Sequence, residues 1–143
     1  MRMFFSASIC AAINAVTNRA AEMDLAITVS FMDAAGNEAA FYRMPGAFLA
    51  STDYARWKAW TAASFQTPTE PFADMLAGLP QNIREGLLAH PKVTDLPGGA
   101  LIKDENDVLG SVGISGGSGE QDTELALLAA RTLLQHPDQN APG

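Results

Sequence analysis

Residues 97–122 constrain the fold more than any other stretch of this chain. Apolar residues alternate through Ala100-Leu101-Ile102 and again through Val108 to Ile114, which marks two strands. Asp104-Glu105-Asn106 separates them as a turn. Glycines lie at both ends, as Gly98-Gly99 and Gly116-Gly117. Ser118 and Gln121 then have the spacing of a capping box, which opens a helix. A strand, tight turn, strand, glycine loop and helix start in succession demand an antiparallel sheet edge covered by a helix. The layout gathers backbone N–H groups and the carboxylates Glu120 and Asp122 at that edge, where a small ligand can sit.

The rest of the chain fits such a sheet. Ile9, Ile13, Val16, Ala20 and Met23 recur at helical spacing, so a helix is expected over about residues 6–23, capped by Ser6 or Ser8. Residues 25–32 are β-rich, Gly36 sits in a turn, and Glu38 to Arg43 returns as a second strand. A helix rich in alanine follows over about 48–65, with Tyr54, Lys58, Thr61 and Phe65 on one face and Trp57 and Trp60 beside it. Two short helices are expected at about 71–77 and 81–89, then a short edge strand over Lys92 to Leu96. The last helix runs from about 119 to 135, with Leu125, Leu128, Ala129, Thr132 and Leu133 inward. The reading is one α/β layered domain over residues 1–136, with helices packed on an antiparallel sheet, and a flexible tail over 137–143.

The chain's 143 residues suffice for one domain with a real core, and 48% hydrophobic content marks a globular chain. A net charge of −7 argues against nucleic acid and against an anionic membrane surface, because no basic stripe exists to replace counterions. No run is long enough for a transmembrane helix. The opening Met1-Arg2-Met3-Phe4-Phe5 only faintly resembles a signal peptide, so the expected compartment is the cytoplasm. Cys10, the single cysteine, has no disulfide partner in the chain and reads as a buried helix residue.

Several residues are candidates for a site. Lys58, in an alanine- and tryptophan-rich helix, would act as a base or anion anchor if buried; the alternative is a lysine reaching solvent along an aromatic surface. Backbone amides of Gly98, Gly99, Ser115 and Gly116 can approach a ligand carboxylate, or simply form turns. Glu120 and Asp122 suit acid–base work, pairing with Lys58, or complementing a helix N-terminus, and they oppose an anion there. Arg43 can clamp a carboxylate or form a surface ion pair. No metal-ligand spacing is present, and His90, His136, Met44, Met75 and Tyr54 are the residues of a type that can ligate haem iron.

Four segments together resemble the GlcG/HbpS-like haem-binding (haem-degrading domain, DUF336) family: the opening segment, the hairpin from Val29 to Gly36, the turn Arg43-Met44-Pro45-Gly46-Ala47, and the helix from Tyr54 through Lys58 and Thr61. The resemblance covers roughly residues 6–135. It departs at Pro45, where the family has aspartate, at Ala100, and at the bulky Trp57 and Trp60. The resemblance implies a profilin-like, five-stranded antiparallel sheet with helices on both sides, and homo-oligomers from dimer to octamer. It also implies a small-molecule ligand, with haem the candidate and no cofactor demanded by the residues themselves. Its pocket would take Arg43, Lys58, Thr61, Gly98, Gly99, Ser115 and Gly116 as binding residues. The rival reading is a cofactor-independent isomerase, lyase or hydratase acting on a small carboxylate, with Lys58, Glu120 and Asp122 moving the proton. A third is an accessory subunit without a ligand.

Overall fold

The computed structural model describes residues 4–136. The expected tail over 137–143 lies outside them. The elements run α1 (Ser6–Glu22), β1 (Thr28–Asp33), β2 (Glu38–Arg43), α2 (Ser51–Phe65), α3 (Thr69–Ala77), α4 (Gln81–Leu88), β3 (Gly99–Asp104), β4 (Asp107–Ser115) and α5 (Gly119–Gln135). The sheet is antiparallel throughout, in the order β2-β1-β4-β3.

Strand alternation assigns the two faces. Val29, Phe31, Ala100, Ile102, Val112 and Ile114 join Ile9, Val16, Leu125 and Leu133 of α1 and α5 in one buried core. The alternate residues are small or polar and meet α2. Thr28 Oγ1 and Ser51 Oγ share a hydrogen bond of 2.6 Å, and Ser111 donates to the Ala59 carbonyl at 2.6 Å. A β-carbon on Gly113 would lie 2.7 Å from Ala59 N and overlap the Ala55 carbonyl. Small residues on both sides therefore let the α2 backbone lie almost on the sheet.

The expected fifth strand, Lys92 to Leu96, is absent among the described residues, so the sheet has four strands. Its backbone has other partners. Thr61 Oγ1 donates to the Lys92 carbonyl at 3.1 Å and accepts from Thr94 N–H at 3.0 Å, while Leu96 N–H bonds to Thr94 Oγ1 at 3.2 Å. On the outer edge of β3, Gly99 N–H is taken by Thr69 Oγ1 at 2.9 Å. A side chain of α2 thus holds the segment expected as an edge strand.

Cys10 is helical but exposed, not buried, because it falls outside the Ile9–Val16–Ala20 stripe. The α1 N-cap is Phe5 rather than a serine, and Ser8 instead bonds the His136 carbonyl. The capping box forms as the sequence indicates: Gln121 N–H bonds Ser118 Oγ at 3.2 Å and Ser118 N–H bonds Gln121 Oε1 at 2.8 Å. Ser118→Ala is expected to lower stability by about 1 kcal/mol, read from urea unfolding; an unchanged midpoint would show the box to be dispensable.

Candidate functional site

Lys58 lies at the middle of α2 and is 3% exposed. Its Nζ donates to Asp122 Oδ2 at 3.0 Å and to the Ile114 carbonyl at 2.8 Å. Asp122 Oδ1 accepts the Gly117 N–H at 2.9 Å. The pair therefore joins α2, the end of β4 and the first turn of α5. Burial lowers Lys58 from the ordinary lysine range, against the pull of Asp122. Burial also raises Asp122, against the Lys58 charge and the Gly117 hydrogen bond. Desolvation is the larger influence on both.

Glycine closes this junction. Gly98 has φ +120°, and a β-carbon there would lie 2.8 Å from Asp122 Cβ and 3.1 Å from Lys58 Nζ. A β-carbon on Gly99 would lie 2.6 Å from the Lys58 carbonyl. The glycines thus admit protein rather than ligand to this spot.

The remaining expected site residues scatter. Thr61 is buried and holds the 92–94 segment. Ser115 pairs with Thr28 at the end of β4, and Gly116 abuts Ala26 and Ile27. Arg43 is exposed on the β2 edge and donates to the Ala47 carbonyl at 2.9 Å. Glu120 is exposed in a shallow cleft of about 350 Å³ with Glu70, Pro97 and Ser118.

A second cleft, of about 390 Å³, lies between α2 and the β1–β2 hairpin. Trp57 and Trp60 form its aromatic wall, Arg56 and Lys92 bring cations, and Glu38 and Asp53 bring carboxylates. Arg56 holds Glu38 with two hydrogen bonds, at 2.8 and 3.1 Å, and its guanidinium lies 4.2 Å from the Phe41 ring centroid. Ser30 Oγ donates to the same carboxylate at 2.9 Å. Lys92 Nζ stands 5.7 Å from the Trp60 centroid. His90 stacks on Trp60 with centroids 4.8 Å apart, and Tyr54 meets Trp57 edge-on at 5.3 Å. The indoles were visible in the sequence. Arg56, Glu38, Asp53 and Lys92 were not singled out, because three separate segments supply them. The signal available was Arg56-Trp57 beside Trp60 on an exposed turn of the helix.

The other residues of a type that can ligate iron are also placed. Met44 Sδ accepts the Ile27 N–H at 3.4 Å, Met75 is 49% exposed on α3, and Tyr54 is 40% exposed. His136 Nδ1 donates to the Thr132 carbonyl at 2.9 Å at the end of α5, a helix of the opposite layer from α2. Among the described residues no three His, Cys, Asp or Glu side chains group as a metal site. No helix among them is long and apolar enough to cross a membrane.

The family model described as haem degrading protein HbpS-like matches residues 6–131. The corrinoid adenosyltransferase PduO of Salmonella typhimurium is 38% identical over 121 residues, 83% of this chain and 35% of that protein. The chain thus spans about a third of that relative's length. The crystal structure of Klebsiella pneumoniae protein ORFY superposes with a TM-score of 0.85 at 28% identity, covering 94% of this chain and 92% of that one. The crystal structure of a PduOC–haem complex does so with a TM-score of 0.82 at 31% identity, covering 91% and 94%. A match of this extent, on a sheet and helices laid out alike, shows that the chain belongs to the HbpS-like family.

Proposed function

We propose that this protein binds a flat ring system bearing carboxylates, haem foremost, on the Trp57–Trp60 cleft. One observation carries the reading: two adjacent indoles on α2, with Arg56 and Lys92 beside them, line a cleft of about 390 Å³. The indole surface left beside His90 and Lys92 takes a planar ring, and the Lys92 ammonium takes a carboxylate, while Arg56 stays held by Glu38. The volume falls within the range of small-molecule sites and lets a larger macrocycle bind with one edge in solvent. The likeness to PduOC, whose structure holds haem, supports the ligand class. Assembly into a homo-oligomer belongs to the same proposal, and the exposed Phe48 and Leu49, at 79% and 77%, favour it.

The proton-transfer alternative draws less from the geometry. Lys58 and Asp122 line neither cleft and are bonded to one another. Glu120 has a cleft but no buried partner acid or base within it.

Titration with haemin is expected to give a saturable shift of the Soret band at micromolar concentration. Trp60→Ala is expected to weaken binding about tenfold, the equivalent of one lost stacking contact. Absence of any Soret shift rejects haem as the ligand. Native mass spectrometry of the same sample reports subunit number, and a monomer would reject the oligomer.

A further inference from the structure

We infer that the Trp57–Trp60 cleft recognises the ring and the carboxylates of its ligand but not a central metal, so that a metal-free porphyrin dicarboxylate is as good a ligand as haem. The inference rests on the reading above and concerns the same cleft. Haem iron is held in proteins by histidine, cysteine, methionine or tyrosine. The histidine nearest the indoles is His90, and its tautomer is set against ligation. Lys92 N–H donates to His90 Nδ1 at 3.1 Å, so Nδ1 carries the lone pair. In the neutral ring the proton then sits on Nε2. A metal-ligating histidine has the opposite arrangement, with one ring nitrogen donating to an acceptor and the other lone pair facing the metal. His90 is also stacked on Trp60, with 17° between the rings, so its nitrogens lie in a plane close to parallel with the indole, and it is not among the residues that line the cleft.

The other donors do no better. Met32 lines the cleft but is 6% exposed. Lys92 holds its ammonium over the Trp60 ring, and a protonated amine has no lone pair to give. Tyr54 has its ring edge-on against Trp57 and does not line the cleft. Cys10 and His136 belong to α1 and the end of α5, in the other layer. By contrast, Lys92 brings a cation to the cleft, its ammonium 5.7 Å from the Trp60 centroid, where a ligand carboxylate can pair with it, while Arg56 is held by Glu38.

The test is parallel titration of the full chain with haemin and with iron-free protoporphyrin IX, followed by quenching of tryptophan fluorescence and by absorption. The expected result is dissociation constants within about threefold of each other. Trp60→Ala and Lys92→Ala should weaken both ligands alike. His90→Phe, which keeps a stacked ring but has no nitrogen, should leave haemin binding and the Soret position unchanged. Haemin binding tenfold or more tighter than the metal-free ring, or a Soret band that moves in His90→Phe, overturns the inference and leaves the cleft reading standing. If neither ring binds, or if both bind with Trp60→Ala and Lys92→Ala without effect, the cleft reading itself falls and the inference with it.

Discussion

Asp122→Ala is expected to lower the free energy of unfolding by about 3–5 kcal/mol, the range for breaking a buried ion pair from one side. The substitution strands the Lys58 ammonium, 3% exposed, with the Ile114 carbonyl as its remaining acceptor, and it leaves the Gly117 N–H without its carboxylate. Urea unfolding measures the effect as a fall in midpoint at constant slope. The double variant Lys58→Met/Asp122→Leu should recover most of the loss. Burial moves both groups away from their charged forms, so desolvation already offsets much of the pair's attraction. The single variant should also respond to alkali. Burial holds Lys58 below its ordinary 10.5 even with Asp122 present, and removing Asp122 removes the interaction that raises it. Between the native and ordinary values the unfolded chain then binds more protons than the native one, so stability of Asp122→Ala rises with pH across that window. A loss under about 1 kcal/mol, the size of an exposed ion pair, would mean that water reaches the pair in solution.

Gly113→Ala is the second large effect, at about 3 kcal/mol of destabilisation. Its added methyl group meets the α2 backbone at Ala55 and Ala59, which cannot move aside as a side-chain tip can. The helix must rise from the sheet, disturbing the Ser111–Ala59 and Thr28–Ser51 hydrogen bonds together. Gly86→Ala is the control. Gly86 lies within α4, and a β-carbon there meets nothing within 4 Å. The same methyl group should stabilise by about 0.5–1 kcal/mol through helix propensity and reduced unfolded-state freedom. Thermal melts of the two variants shifting the same way would contradict the close approach of α2 to β4.

What was legible in the sequence was local. The Ser118–Gln121 box is a contact over three residues, and the apolar stripe of α5 follows from one helical period. The fifth strand failed because Lys92 to Leu96 has strand-like residues but bonds to a hydroxyl on α2, 31 residues earlier at its nearest contact. Cys10 failed because small apolar neighbours flank it on a helix whose buried face is narrow. The Lys58–Asp122 pairing was one of several roles open to those residues. A separation of 64 residues leaves nothing in spacing to choose among them.

The sequence by itself determined the succession of helices and strands from α1 to α5, with one strand too many at Lys92 to Leu96, and the antiparallel pairing of its hairpins, and four motifs taken together pointed to the family. The elements and pairings rest on periodicity, turn residues and caps, which act over a few residues. Tertiary structure alone decided that Lys58 is enclosed and paired while Trp57 and Trp60, on the same helix, line a cleft. The physical reason is that burial is a property of what α2 packs against. The small residues of β4 draw one side of α2 onto the sheet, and on the other side Trp57 and Trp60 line a cleft with the β1–β2 hairpin and Lys92.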